Sequence, residues 1–230
     1  MAEPTEPHEQ SALRPLMVIP RIALGQAVLF ALLFGSAGRL DLPFFWAVIG
    51  LMIAVGVIAL FTMDRGLLRE RIKPAPGGKD RHIRLMVMPF AMSHLVLAGL
   101  DARFGWSYVP AWVQSAGLIG MALSFSLSIW AIRVNRFFSP VVRIQSERGH
   151  HLVTGGPYAH IRHPGYCAGI QLMAFSGLAL GSWWSLLPNV VNIAIMLRRL
   201  IIEDRFLHEN LEGYPDYARR VRWRLAPKLW

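Results

Sequence analysis

Residues 42–63 read LPFFWAVIGLMIAVGVIALFTM, a run of 22 residues without a single ionisable side chain. A helix of about 20 apolar residues is long enough to cross the hydrocarbon core of a bilayer. A helix on the surface of a soluble domain would need a polar face, and this run has none. The stretch therefore predicts a membrane-spanning helix.

Uncharged runs of similar character lie on both sides of this stretch. The last, residues 164–197, is too long for one membrane helix and has a Gly-Ser-Trp-Trp break at residues 181–184. We interpret it as a tight helical hairpin of residues 164–180 and 184–202. The other runs are residues 22–38, 85–100 and 104–132, the last with a crossing at residues 111–132. Together they predict an all-α, polytopic integral membrane protein of about six helices (five to six) with a C-terminal helical hairpin and a cytoplasmic amphipathic tail.

The composition fits a membrane protein, and the charges predict its orientation. Apolar residues make up 54% of the 230 residues, charged residues make up 17%, and the net charge is +10. Of the 24 Lys and Arg residues, 20 lie in segments 64–84 and 133–163 or after residue 197. Since basic loops stay in the cytoplasm, we expect both termini and these two segments to be cytoplasmic. Charges confined to alternate loops form no basic stripe, which argues against a nucleic-acid partner.

These patterns divide the chain into three parts. Residues 1–18 form a loose N-terminal segment, residues 19–132 form the N-terminal transmembrane helices with the basic loop 64–84, and residues 133–230 hold most of the polar motifs. The only cysteine, Cys167, excludes an internal disulfide and a cysteine-based zinc site. We interpret it as a buried structural thiol and predict no metal site.

The first polar motif precedes the hairpin. Residues 150–158 read HHLVTGGPY, and residues 159–166 read AHIRHPGY. Pro164 suits the first position of a helix, which places Arg162 and His163 at a helix N-terminus at the membrane surface. Free backbone N–H groups and a guanidinium at that point favour an anionic oxygen. A snorkelling arginine that contacts lipid phosphate is the alternative interpretation.

The second polar motif follows the hairpin. Glu203 and Asp204 come directly after an apolar stretch, where acidic side chains are costly unless they are solvated or paired. Arg199 lies one turn earlier, so an ordinary ion pair within the helix is one explanation for Glu203. Because the two ends of a hairpin return to the same surface, we expect Arg162 and His163 to lie close to Glu203.

Three blocks of residues carry a resemblance to a known family. They are His150-x-Leu-Val-Thr-x-Gly-Pro-Tyr-x-x-x-Arg162-His163-Pro164-x-Tyr166, Glu203-Asp204-x-x-Leu207 and Gly213-x-x-x-Tyr217-x-x-Arg220-Val221. This order and spacing resembles the isoprenylcysteine carboxyl methyltransferase family, a group of integral-membrane, S-adenosylmethionine-dependent methyltransferases related to phospholipid N-methyltransferases. One departure is that the family usually has two consecutive glutamates where this chain has Glu203-Asp204, which leaves open whether Asp204 shares the role of Glu203.

The resemblance implies that residues 133–230 form a catalytic region that binds S-adenosylmethionine. It implies that Arg162 and Arg220 lie near the methyl acceptor and that Glu203 serves both the reaction and the cofactor. The cofactor-binding residues it implies are His150, Leu152, Val153, Gly156, Tyr158, His163, Pro164, Tyr166 and Glu203. The physical properties of these groups agree, since Glu203 suits an ammonium and the tyrosine rings suit a sulfonium.

The sequence leaves the methyl acceptor open. A lipophilic carboxylate is the leading prediction, with a phospholipid amine or a thiol as alternatives within the same fold. A more distant alternative is an NADPH-dependent sterol-type reductase, because those membrane enzymes share a related His-Pro-x-Tyr block. A transporter is disfavoured by the few polar residues at midplane. The expected partners are the lipid bilayer and a lipophilic or lipidated acceptor, and the oligomeric state is open.

Overall fold

The structure is a computed structural model that describes residues 19–62, 66–67, 81–228 and 230. Seven α-helices are assigned within this part of the chain. They are α1 (Ile19–Ala37), α2 (Pro43–Thr62), α3 (Arg81–Phe104), α4 (Ala111–Val134), α5 (Pro164–Ala179), α6 (Leu186–Asn210) and α7 (Tyr214–Arg220). Two short 3-10 turns, Ser146–Arg148 and Gly156–Ala159, lie between α4 and α5. No β-strand occurs within these described residues, so the all-α prediction is confirmed.

Four of these helices are long and apolar enough to cross a membrane. They are α1, α2, residues 85–104 of α3, and α4. The helix α2 covers almost the whole predicted run at residues 42–63, whereas α3 begins four residues before the predicted run and ends four residues after it. The basic loop predicted at residues 64–84 falls largely outside the described residues, as does the N-terminal segment 1–18.

The predicted hairpin forms from α5 and α6, with a tight turn around Gly181. Gly181 has a positive φ of 68°, a conformation that glycine adopts without strain. The helix α6 continues to Asn210, well past the apolar stretch that ends at residue 202. Its C-terminal turns therefore extend the helix beyond the predicted crossing.

A buried polar cluster fastens the turn of this hairpin to α3. The Nδ1 atom of His94 lies 2.8 Å from the carbonyl oxygen of Ser185, and its Nε2 lies 3.1 Å from Oγ of Ser176. Asp101 accepts hydrogen bonds from the hydroxyl of Ser182 and from the backbone N–H of Ser107. The two buried polar side chains His94 and Asp101 are thus satisfied, mainly by the hairpin, as buried groups in a membrane protein must be.

Small residues bring α4 and α5 into close contact. A Cβ atom added to Gly117 would lie 2.4 Å from the backbone nitrogen of Ala179, and one added to Gly120 would lie 2.4 Å from the ring of Phe175. Close backbone approach at glycine is a common way for membrane helices to pack. Cys167 on α5 is half-buried rather than buried.

We predict that Gly117→Ala destabilises the protein by about 1–3 kcal/mol, because the new methyl group overlaps the backbone of α5. Gly35→Ala on α1 is the matched control, since nothing lies within 4 Å of its added Cβ. The measurement is the midpoint of thermal unfolding in detergent. An equal midpoint for the two variants would contradict the packing described here.

Candidate active site at the mouth of the C-terminal hairpin

The segment after α7, residues 221–228, covers the start of α5 and is called the tail below. The backbone N–H of Arg162 donates to the carbonyl of Trp223 at 2.9 Å, and that of His163 donates to the carbonyl of Arg224 at 3.0 Å. Pro164 is the first residue of α5 and has no N–H that would need a partner. The sequence predicts that the backbone N–H groups at this helix start favour an anionic oxygen. In the structure, two of these groups donate instead to carbonyl oxygens of the tail.

A single buried carboxylate, Asp204 on α6, holds these segments together. Nε and Nη2 of Arg162 donate to its two oxygens at 3.0 and 3.1 Å. Nε2 of His163 lies 2.9 Å from Oδ1, and the Tyr214 hydroxyl donates to the same oxygen at 2.9 Å. Nε of Arg224 donates to Oδ2 at 3.0 Å. Asp204 thus joins the loop before α5, the end of α6, the start of α7 and the tail.

These donors keep Asp204 ionised. Burial by itself would raise the pKa of Asp204, but the hydrogen bonds from His163 and Arg162 outweigh it and hold the pKa well below the usual range of a carboxyl group. The guanidinium of Arg162 is equally engaged, because its Nη1 also donates to the carbonyls of Val221 and Arg222 at 3.0 Å each. Arg162 therefore links the start of α5 to α6 and to the tail.

The neighbouring acid, Glu203, has a different environment. Its Oε2 accepts a hydrogen bond from the hydroxyl of Tyr166 at 2.7 Å. The guanidinium of Arg199 lies 5.6 Å from the centre of the Tyr166 ring, and its Nη2 donates to the carbonyl of Pro140 at 2.8 Å. Glu203, Tyr166 and Arg199 all line a cavity, and Asp204 lies behind them outside its lining.

This cavity has a volume of about 510 Å³, which is in the range of pockets that bind small molecules. Its walls come from α4, the loop after α4, α5, α6 and α7. Phe125, Leu172 and Met196 line it on α4, α5 and α6, whereas the loop and the helix ends supply polar side chains. The cavity therefore connects a polar region to the apolar helix bundle.

The loop wall of the cavity contains a neutral histidine. The ring of His150 stacks on Phe137 with centroids 4.5 Å apart, and its Nδ1 accepts a hydrogen bond from the backbone N–H of Gln145 at 3.2 Å. Burial, together with nearby positive groups, lowers the pKa of His150 to about 4. At neutral pH the ring is therefore uncharged and carries its proton on Nε2.

The structure brings together nine of the eleven residues singled out from the sequence. The nine that line the cavity are His150, Leu152, Val153, Tyr158, Arg162, His163, Pro164, Tyr166 and Glu203. Gly156 lies outside the lining, where its positive φ of 58° and a close approach to Val134 form the turn before Tyr158. Arg220 is exposed on α7 and also lies outside the lining. Arg162 and His163 do lie close to Glu203, although their direct partner is Asp204.

Several lining residues come from outside the sequence motifs. Asn135 and Arg143 lie on the loop after α4, which folds back over the cavity, and no local pattern marks them. From the sequence, Arg199 is predicted only as an ion-pair partner of Glu203, although a position one turn before that acid on the same helix face also predicts that it lies in the site. Among the described residues, no group of three His, Cys, Asp or Glu side chains is placed to hold a metal ion.

Fold and site together define a polytopic helical membrane protein with a cavity of small-molecule size at the mouth of its C-terminal hairpin. Residues 112–212, which run from α4 to the end of α6, match the family model described as phospholipid methyltransferase. The resemblance of this part of the chain to membrane methyltransferases is therefore confirmed.

Curated relatives match at low identity. A probable protein-S-isoprenylcysteine O-methyltransferase of Oryza sativa is 28% identical over 148 residues, which cover 60% of this chain and 72% of the relative. The cobalt-zinc-cadmium resistance protein CzcN of Cupriavidus metallidurans is 25% identical over 59% of this chain and 58% of the relative. The nickel-cobalt-cadmium resistance protein NccN of Alcaligenes xylosoxydans xylosoxydans is 24% identical over 61% and 63%. The chain thus matches less than two thirds of the length of the two metal-resistance proteins.

We predict that Asp204→Asn lowers the free energy of unfolding by roughly 3 kcal/mol or more, because it leaves buried Arg162 without its counter-charge. Glu209→Gln, at an exposed position on the same helix, is the control and should have little effect. Both are measured by denaturation in detergent at neutral pH.

The same substitution should change the pH dependence of stability. Because the pKa of Asp204 is lower in the fold than in the unfolded chain, its contribution is present above about pH 4 and is lost as the pH falls. The wild type should therefore lose stability more steeply below about pH 4 than Asp204→Asn does. If the stability of the two proteins fell in parallel with decreasing pH, Asp204 would not be the ionised hub, that is, the buried carboxylate that joins Arg162, His163, Tyr214 and Arg224.

Proposed function

We propose that the protein is an integral-membrane methyltransferase that uses S-adenosylmethionine and methylates a lipophilic acceptor, most simply a carboxylate. The observation that carries this proposal is the cavity itself. It joins the residues of the cofactor motif to apolar side chains of the transmembrane helices. A polar cofactor and a lipophilic acceptor could therefore meet in it from opposite sides.

The residues present fit the cofactor. S-adenosylmethionine supplies a methyl group that is already activated on a sulfonium. Glu203 would hold the ammonium of its amino-acid part, and the Tyr166 hydroxyl orients that carboxylate. The aromatic faces of Tyr158 and Tyr166, both in the lining, suit a sulfonium. The uncharged His150 can hydrogen-bond the cofactor without repelling its positive groups.

The contribution of the protein to the reaction is alignment and exclusion of water. A carboxylate acceptor has no proton to lose, so the site needs no general base. Holding the two reactants in line and desolvating them would supply most of the rate enhancement.

We assign the orientation of the acceptor to Arg199 rather than to Arg162 or Arg220. Arg162 is bound by Asp204 and the tail, and Arg220 lies outside the cavity. Arg199 lies on the lining face of α6 between Met196, in the apolar part, and Glu203, at the polar end. A guanidinium at this boundary would meet the polar head of a lipophilic acid whose chain extends among the helices.

Two further features belong to this proposal. The catalytic region as we propose it begins within α4, since Ser124, Phe125 and Ser128 line the cavity together with the C-terminal segments. We place the site at the cytoplasmic face, with both termini on that side, because the basic residues of the sequence cluster in the segments at this end.

The first test is binding of S-adenosylhomocysteine to the detergent-purified protein by isothermal titration calorimetry. We expect binding by the wild type, and a loss of roughly ten- to a hundredfold in affinity for Glu203→Gln because a charge-assisted hydrogen bond is lost. Glu209→Gln serves as the control of equal charge change at an exposed site. Binding of NADPH with no binding of S-adenosylhomocysteine would instead favour the sterol-type reductase.

The second test is the choice of acceptor. Methyl transfer from labelled cofactor is measured to dodecanoic acid, dodecylamine and dodecanethiol, which share one chain and differ in the nucleophile. We expect the acid to be the preferred acceptor, and Arg199→Gln to reduce its methylation about a hundredfold with unchanged affinity for S-adenosylhomocysteine. The neighbouring Arg198→Gln, at an exposed position, should retain activity.

The acceptor panel separates the alternatives within the fold. Preferred methylation of the amine would favour the phospholipid-type reaction named by the family model. Preferred methylation of the thiol would favour a thiol methyltransferase. Either preference would remove the role we assign to Arg199.

A further inference from the structure

Tyr158, a residue of the cavity lining, is held in place by the end of α4. The 3-10 turn that contains Tyr158 packs against that end, because a Cβ atom on Gly156 would lie 2.9 Å from Val134 and 3.1 Å from Nε1 of Trp130. The carbonyl of Tyr158 accepts a hydrogen bond from the Tyr217 hydroxyl at 2.7 Å. Tyr158 is 7% exposed and lines the cavity.

Asn135, the first residue after α4, determines the direction of the hydrogen bond at this hydroxyl. Its Oδ1 accepts a hydrogen bond from the backbone N–H of Phe137 at 2.9 Å. Because a backbone N–H can only donate, this contact fixes the amide with its oxygen towards Phe137 and its nitrogen towards Tyr158. Nδ2 of Asn135 then donates to the phenolic oxygen of Tyr158 at 3.2 Å.

A phenol that accepts from Asn135 keeps its own proton for another partner. Both Asn135 and Tyr158 belong to the cavity lining, and burial raises the pKa of Tyr158, so the hydroxyl stays protonated throughout the physiological range. The arrangement is therefore a directed O–H donor on a residue that lines the cavity.

We propose that Asn135 is a positioning residue that acts through Tyr158. By donating to the phenolic oxygen, it directs the Tyr158 proton to a hydrogen-bond acceptor atom of the bound cofactor. This inference rests on the proposed function, since it takes the cavity to be the cofactor site. Neither Asn135 nor its contact with Tyr158 is marked by the sequence motifs.

The test is a double-mutant cycle on the affinity for S-adenosylhomocysteine, measured by titration calorimetry with Asn135→Ala, Tyr158→Phe and the double variant. Each single substitution should weaken binding about tenfold, the loss of one hydrogen bond. The double variant should bind no more weakly than Tyr158→Phe alone, because Asn135 has nothing to orient once the hydroxyl is absent.

A second variant separates orientation from folding. Asn135→Asp replaces the amide by a carboxylate of nearly the same shape. An ionised carboxylate can only accept hydrogen bonds, so it draws the Tyr158 proton towards itself. The variant should lose as much affinity as Tyr158→Phe while its thermal midpoint stays close to that of the wild type. A purely structural role for Asn135 would instead lower the thermal midpoint and leave the affinity of the folded protein unchanged.

The outcomes separate the two proposals. Additive losses in the double variant, or an unchanged affinity in Asn135→Asp, would overturn the role of Asn135 while the wild type still binds the ligand. Failure of the wild type to bind S-adenosylhomocysteine would overturn the proposed function and this inference with it. A parallel cycle with 5′-methylthioadenosine locates the acceptor atom. Retained coupling assigns it to the nucleoside, and lost coupling assigns it to the amino-acid part.

Discussion

The carboxylate of Asp204 is the interaction on which the architecture of the site depends. A buried charge is costly, and Asp204, which is 3% exposed, is stable because Arg162, His163, Tyr214 and Arg224 all donate to it. These donors come from segments that are separated by up to 62 residues. Asp204 thereby fixes Arg162, His163 and Tyr214, which line the cavity, while the tail covers the start of α5. The hydrogen bonds to Asp204 therefore hold together the segments that form the site.

The hub also explains how two consecutive acids can have different roles. Successive residues of an α-helix point about 100° apart, so Glu203 and Asp204 cannot both face the cavity. Glu203 lines it and contacts Tyr166, while Asp204 faces the tail and Arg162. A shorter side chain suits the tightly enclosed hub, whereas the longer one reaches into the cavity. Asp204 therefore does not share the contacts of Glu203.

The helices and most of the motif could be predicted from the sequence because both depend on local patterns. An uncharged run such as residues 42–63 can bury its backbone polar groups in a bilayer only as a helix, and α2 follows it closely. The tertiary contacts could not be predicted in the same way. Arg162 has the charge of an anion-binding residue, and only the fold shows that its anion is Asp204. Asn135 and Arg143 enter the site through the path of a loop that carries no periodic signal.

The length of α5 determines how deep the site would lie in a membrane. Its 16 residues rise roughly 24 Å, which is less than the ~30 Å thickness of the hydrocarbon core. If α5 crosses the membrane as the proposed function requires, with the hairpin turn at the far surface, its start would lie a few ångströms inside the near surface. The cavity would then open at the depth where the polar head of a lipophilic molecule meets its chain. The buried charges at the start of α5 are stable because Arg162, His163 and Arg224 all pair with Asp204. Under the proposed function, the short α5, the buried Asp204 with its donors and the apolar wall of the cavity would all serve one requirement, which is to hold a polar cofactor within reach of a molecule dissolved in the bilayer.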